Sequence, residues 1–133
     1  MLPTALVVED DSVVREFIRV KLEMSGWSVH EAEYVSLALT LFRQLRPHLV
    51  TLDLMMPIND GFDTMHLARL IKDEAPEVAL LVVSAVGYKQ DIRDFMRKHE
   101  LELFDKSPDD PTFKNLFLRT AVLFHELSVQ ILD

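Results

Sequence analysis

Five times along the 133 residues, a short run of β-branched and aliphatic residues gives way to a longer segment with apolar side chains every three or four positions. That alternation permits few folds. It is the signature of βαβ units, and therefore of a parallel sheet covered by helices on both faces. The runs place strands at 4–9, 27–32, 48–54, 78–84 and 101–105. The periodic segments place helices from Ser12 onward, then at 36–45, 62–74, 89–99 and 111–132. Ser12 reads as an N-cap and Gly26 as a C′ residue, while Pro47 and Pro76 stop helices and Pro111 sits at an N1-like position. On the first helix Val13, Val14, Phe17, Ile18 and Leu22 read as the inner side. Trp27 and Val29 alternate with Ser28 and His30, as in an edge strand, whereas the unbroken run Val78–Val83 belongs in the sheet interior.

Polar residues stand where these strands run out. Asp10 and Asp11 follow the first, Asp53 the third, Ser84 the fourth and Lys106 the fifth. In an open parallel sheet, ligands bind outside the carboxyl ends of the strands. Neighbouring strands would bring these groups into one acidic pocket with a lysine and a hydroxyl, suited to a divalent cation and a phosphoryl group. Crowded carboxylates repel one another unless a cation offsets them. Mg2+ prefers oxygen ligands, and phosphoryl transfer needs mainly positioning and charge neutralisation. Taken singly, Asp10 is as good an N-cap as a ligand, Ser84 a loop hydroxyl and Lys106 a solvated lysine; the ordered set carries the inference. His30, His48, His66, His99 and His125 show no ligand spacing and read as structural, and Trp27 reads as strand packing.

With 49% hydrophobic and 27% charged residues the chain is globular, and its length suits one domain, residues 1–133. A net charge of -8 disfavours direct nucleic-acid binding, which needs Lys and Arg against phosphates. There are no cysteines, hence no disulfides or thiolate metal sites. No apolar stretch reaches the roughly 18 residues of a membrane span, and no signal peptide is present, so a cytoplasmic location is expected.

Glu9-Asp10-Asp11, Asp53 with Met56-Pro57 and Asp60-Gly61 behind it, Ser84-Ala85 and Lys106 together resemble the receiver domain of two-component response regulators, over essentially the whole chain. The resemblance implies a flavodoxin-like (βα)5 fold, five parallel strands in the order 2-1-3-4-5, an order for which a receiver is a standard example. It implies that Asp53 accepts a phosphoryl group from a phosphohistidine on a histidine kinase or histidine phosphotransfer protein. It also implies Mg2+ bound directly by Asp11, through water by Asp10, and by Asp53 and the Met55 carbonyl. Ser84 would hydrogen-bond the phosphoryl group and Lys106 would pair with it. The product is a signalling phosphoacceptor, not an enzyme with a separate substrate.

The chain departs from the family in three places. Ser107 follows Lys106 where proline with a cis bond is usual; since a cis bond before a non-proline costs roughly 2.5–4 kcal/mol, a trans Lys106-Ser107 bond is expected. Leu103 occupies the position of the aromatic switch, with Phe104 on the other face. His99-Glu100 replaces a small Ala/Gly turn. These changes bear on relay to the face made by helix 4, strand 5 and helix 5, and leave a receiver-like scaffold that is never phosphorylated as the alternative. A flavodoxin-like cofactor binder is disfavoured because Glu9-Asp10-Asp11 repels a phosphate. A phosphohydrolase is disfavoured because Met55 stands where its general acid would be. On helix 5, Phe113, Leu116, Phe117, Phe124, Leu127 and Ile131 form the core stripe. Leu118, Val122, Val129 and Leu132 lie outside it, which points to association with a second copy or an output partner.

Overall fold

A parallel five-stranded sheet runs β2-β1-β3-β4-β5. A computed structural model describes residues 2–57, 63–84, 90–106 and 111–132, with only the backbone of 91, 131 and 132. The strands are β1 (Thr4–Val8), β2 (Ser28–Ala32), β3 (Leu49–Leu52), β4 (Ala79–Ser84) and β5 (Glu102–Asp105). The helices are α1 (Ser12–Met24), α2 (Val35–Leu45), α3 (Thr64–Glu74), α4 (Gln90–Lys98) and α5 (Pro111–Leu132). The fold class and strand order are those expected, with β2 at an edge and β4 inside. The motif residues Asp60, Gly61 and Ala85, and the Lys106-Ser107 bond, lie outside the described residues.

Alternating strand residues build two cores, one on each face of the sheet. Leu6, Val8, Val50, Leu52, Leu80 and Val82 pack against α2, α3 and α4 through Phe42, Ile71 and Phe95. Ala5, Val7, Leu49, Leu81, Val83 and Phe104 pack against Ile18 and Leu22 of α1 and Phe113 and Leu116 of α5. Trp27 is buried beneath Phe124, and its indole N–H donates to the Thr120 carbonyl at 3.2 Å. Leu103 is exposed and Phe104 buried, as their parity requires.

Three local details depart from the sequence pattern. Asp11, not Ser12, caps α1, its Oδ1 accepting from the N–H groups of Val13 (2.9 Å) and Val14 (3.2 Å). Val13 and Phe17 are 74% and 48% exposed instead of facing the sheet. Phe17 reaches sideways, edge-on to Phe113 and Phe117 of α5, so it covers a neighbouring helix and leaves the sheet to Ile18 and Leu22. The α4–β5 turn, lacking a small residue, sets Glu100 at φ 53, in the left-handed region that favours glycine.

Candidate functional site

Each site residue sits at the carboxyl edge of the sheet because a strand ends beneath it. Val7 pairs with Thr51 and Val8 with Leu52; one residue further, Glu9 falls beside Asp53. Glu9, Asp53 and Ser84 are all buried. Asp53 Oδ1 accepts from the Met55 N–H at 2.8 Å and the Ser84 hydroxyl at 3.2 Å. Its Oδ2 accepts from Lys106 Nζ at 2.9 Å, across the width of the pocket. The same ammonium donates to both oxygens of Glu9, at 3.2 and 3.3 Å. The Asp11 N–H donates to Glu9 Oε2 at 3.1 Å, and Arg15 Nη1 to the Glu9 carbonyl at 2.9 Å, which fixes the turn from β1 into α1.

Burial and the Asp53 charge together push the Glu9 carboxyl up to about 8. Burial alone would lower the Lys106 ammonium, but hydrogen bonds and charge from Asp53 and Glu9 outweigh it and hold the group above its ordinary value. One lysine thus serves two buried acids.

Of the residues singled out from the sequence, Asp10, Asp53, Ser84 and Lys106 converge. Asp11 does not join them. Among the described residues the acids that gather are Glu9, Asp10 and Asp53, with one carboxylate oxygen from each within 4.8 Å of the others. Asp11, expected beside Asp10 as a metal ligand, is exposed and spends its Oδ1 on the helix cap, while Glu9 stands with Asp10 and Asp53 in the acidic cluster. The missed signal was parity: Ala5, Val7 and Glu9 repeat Leu49, Thr51 and Asp53. Met55 is exposed at the pocket's rim. Three close oxygen donors of high charge fit a hard divalent cation such as Mg2+.

Residues 5–116 match the family model of the response regulator receiver domain. The chain belongs to that family. It is 33% identical over 110 residues to the DNA-binding dual master transcriptional regulator RpaA of Synechocystis, covering 82% of this chain and 42% of that protein. It is 40% identical over 82 residues to the response regulator MprA of Mycobacterium sp. (strain KMS), covering 62% and 36%. The receiver therefore spans well under half of these relatives. Among solved structures, a CheY-like receiver domain from Methanospirillum hungatei superposes with a TM-score of 0.79 at 17% identity, covering 98% of this chain and 99% of that one. A receiver domain from Clostridium thermocellum gives 0.74 at 23% identity, over 95% and 98%. These likenesses carry the fold. Among the described residues, no helix of this receiver is long and apolar enough to cross a membrane.

Proposed function

We propose that Asp53 accepts a phosphoryl group from a phosphohistidine of a histidine kinase or histidine phosphotransfer protein, and that this switches a protein-protein surface in the cytoplasm. The observation that carries the reading is the donor set on Asp53: a lysine on one oxygen, a hydroxyl and a backbone N–H on the other. An Asp53 oxygen attacks phosphorus as the phosphorus–nitrogen bond to imidazole breaks. Lys106 and Ser84, already aimed at that carboxylate, then face the phosphoryl oxygens and stabilise their charge without large rearrangement. Glu9, Asp10, Asp53 and the Met55 carbonyl would hold Mg2+, which when bound neutralises the phosphoryl oxygens during transfer. The protein catalyses only its own phosphorylation and slow dephosphorylation. The responding surface is the α4–β5–α5 face, where Leu103 is exposed and Arg119 pairs with Glu102 at 3.1 Å.

With Mg2+ and a small-molecule phosphodonor such as acetyl phosphate, the intact mass should rise by one phosphoryl group, and Asp53→Ala should abolish the gain. Labelling that survives in Asp53→Ala overturns the assignment; a wild type that is never labelled favours the unphosphorylated scaffold.

The state should be long-lived. Hydrolysis needs a water aligned opposite the leaving Asp53 oxygen, and Met55 offers that water no hydrogen bond. Val86, two residues beyond Ser84 as Met55 is two beyond Asp53, is equally apolar and lies outside the described residues. Met55→Asn should shorten the phosphoryl lifetime severalfold, and Val86→Gln should add to it. A wild-type lifetime of seconds, unmoved by Met55→Asn, would remove these positions from rate control.

A further inference from the structure

Three of the chain's six lysines, Lys21, Lys106 and Lys114, line a single cavity between α1 and α5. Its volume is about 360 Å3, and among the described residues no acid lines it. In a chain of net charge -8 that is a local reversal of sign. Lys106 is committed to Glu9 and Asp53. Lys21 and Lys114 are exposed and form no ion pair among the described residues. Lys21 Nζ stands over the Phe17 ring, 5.7 Å from its centre. Two uncommitted ammonium groups thus border one apolar space.

The rest of the wall is aromatic and aliphatic. Phe17 stands edge-on to Phe113, with centres 5.7 Å apart, and to Phe117 at 5.8 Å, while Phe113 and Phe117 stack at 5.5 Å. Val13 and Val14 complete it. Val13 and Phe17 are 74% and 48% exposed, so they border this space instead of filling the core. Size and charge together select the occupant. Small-molecule pockets span roughly 300–1,000 Å3 and are mainly apolar, with a few polar groups that orient the ligand. Aromatic walls favour a planar aromatic body through stacked and edge contacts. The two lysines favour a negative head group. No unmodified protein side chain joins an aromatic body to a negative charge at neutral pH, which points away from a partner protein and toward a free small molecule.

We propose that the cavity between α1 and α5 binds a small aromatic carboxylate, its ring system against Phe17, Phe113 and Phe117 and its head group held by Lys21 and Lys114. The site rests on no assumption about phosphoryl transfer at Asp53. It does adjoin that chemistry, because Lys106 lines the cavity and also bridges Glu9 and Asp53.

Naphthalene-2-carboxylate serves as the probe, with the uncharged naphthalene-2-carboxamide and the unbranched decanoate as comparators. Titrated into 15N-labelled protein, the carboxylate should move the amide resonances of Val13, Phe17, Phe113 and Phe117 with a Kd of roughly 0.1–1 mM, as its size allows. The carboxamide should bind severalfold more weakly. An exposed ion pair contributes up to about fivefold, so Lys21→Gln/Lys114→Gln should weaken the carboxylate roughly tenfold and leave the carboxamide unchanged. High salt should act in the same direction. Val13→Trp, a substitution at an exposed position, should fill the cavity and abolish binding of both naphthalenes with an unchanged unfolding midpoint. A carboxylate that binds no better than the carboxamide, or shifts that fall away from α1 and α5, overturns the proposal. Decanoate binding more tightly than the naphthalene carboxylate would give the cavity to an acyl chain and overturn it too. So would the failure of all three to bind at several millimolar, which would leave the space to a partner protein.

Discussion

Replacing Glu9 by glutamine should make the receiver more stable and less able to bind Mg2+ at the same time. The folded pocket raises Glu9 from 4.5 to about 8, because burial and Asp53 disfavour its charge. A group whose pKa is raised by folding contributes stability that is full below its unfolded value and is lost as pH rises through the folded value. Without divalent cation, the wild type should therefore lose stability from about pH 5 to pH 8, by on the order of 3 kcal/mol in all. Glu9→Gln keeps the shape and an acceptor for Lys106 or the Asp11 N–H, but has no proton to lose. Its stability should be flat across that interval and exceed the wild type's above pH 8. Cation binding needs the ionised acid, so wild-type Mg2+ affinity should climb by up to tenfold per pH unit below about pH 8, and the variant should lose at least tenfold. Denaturant midpoints at pH 6 and 9, with EDTA or with Mg2+, read both effects. A variant less stable than wild type at pH 9 in EDTA would mean that Glu9 is ionised and well paired in the resting fold.

A second large effect is expected at Gly26→Ala. Gly26 adopts φ +110, where a residue with a β-carbon is strained by about 1–3 kcal/mol. The added carbon would also run into the Phe124 ring. The ring can swing away, so the backbone term is the larger one, but swinging breaks its edge contact with Trp27 at 5.7 Å. A total near 3 kcal/mol would lower the midpoint by on the order of 10 °C in a domain this size. Trp27 is the sole tryptophan, so its fluorescence reports whether α5 has lifted from the corner. Adding Phe124→Ala should not rescue Gly26→Ala; full rescue would place the whole cost in the ring clash.

The fold was largely legible because its signal is long-range and redundant. Ten elements alternate, and a fully buried strand such as β4 is written as an unbroken apolar run. Asp53, Ser84 and Lys106 were legible for a similar reason: each ends a strand, and parallel strands align their ends. Legibility failed where one residue's shift changes the chemistry. The strand-to-helix turn after β1 holds three acids in a row, and composition cannot say which faces the pocket. Alternation assigns Glu9 inward, and the cap geometry of α1 then claims Asp11. Val13 and Phe17 misled for another reason. Helical periodicity marks an apolar stripe, but not whether the stripe meets the sheet, a neighbouring helix or solvent. Departures at Glu100 and Leu103 were visible as odd residues, yet the left-handed turn that Glu100 adopts follows from the backbone around it.

Lys106 closes β5, a strand at the margin of the sheet that pairs with β4 and turns two of its four residues to solvent. The acids that hold the lysine stand at the ends of β1 and β3, deep in the middle of the sheet. Negative charge is thus fixed to the middle of the sheet while its counterweight hangs from an edge strand. Through the Asp105 N–H, which donates to Thr112 Oγ1 at 2.9 Å, that edge is tied to the first turn of α5. One lysine thus joins the charge balance of the two central strands to the margin of the sheet and to the helix that follows it.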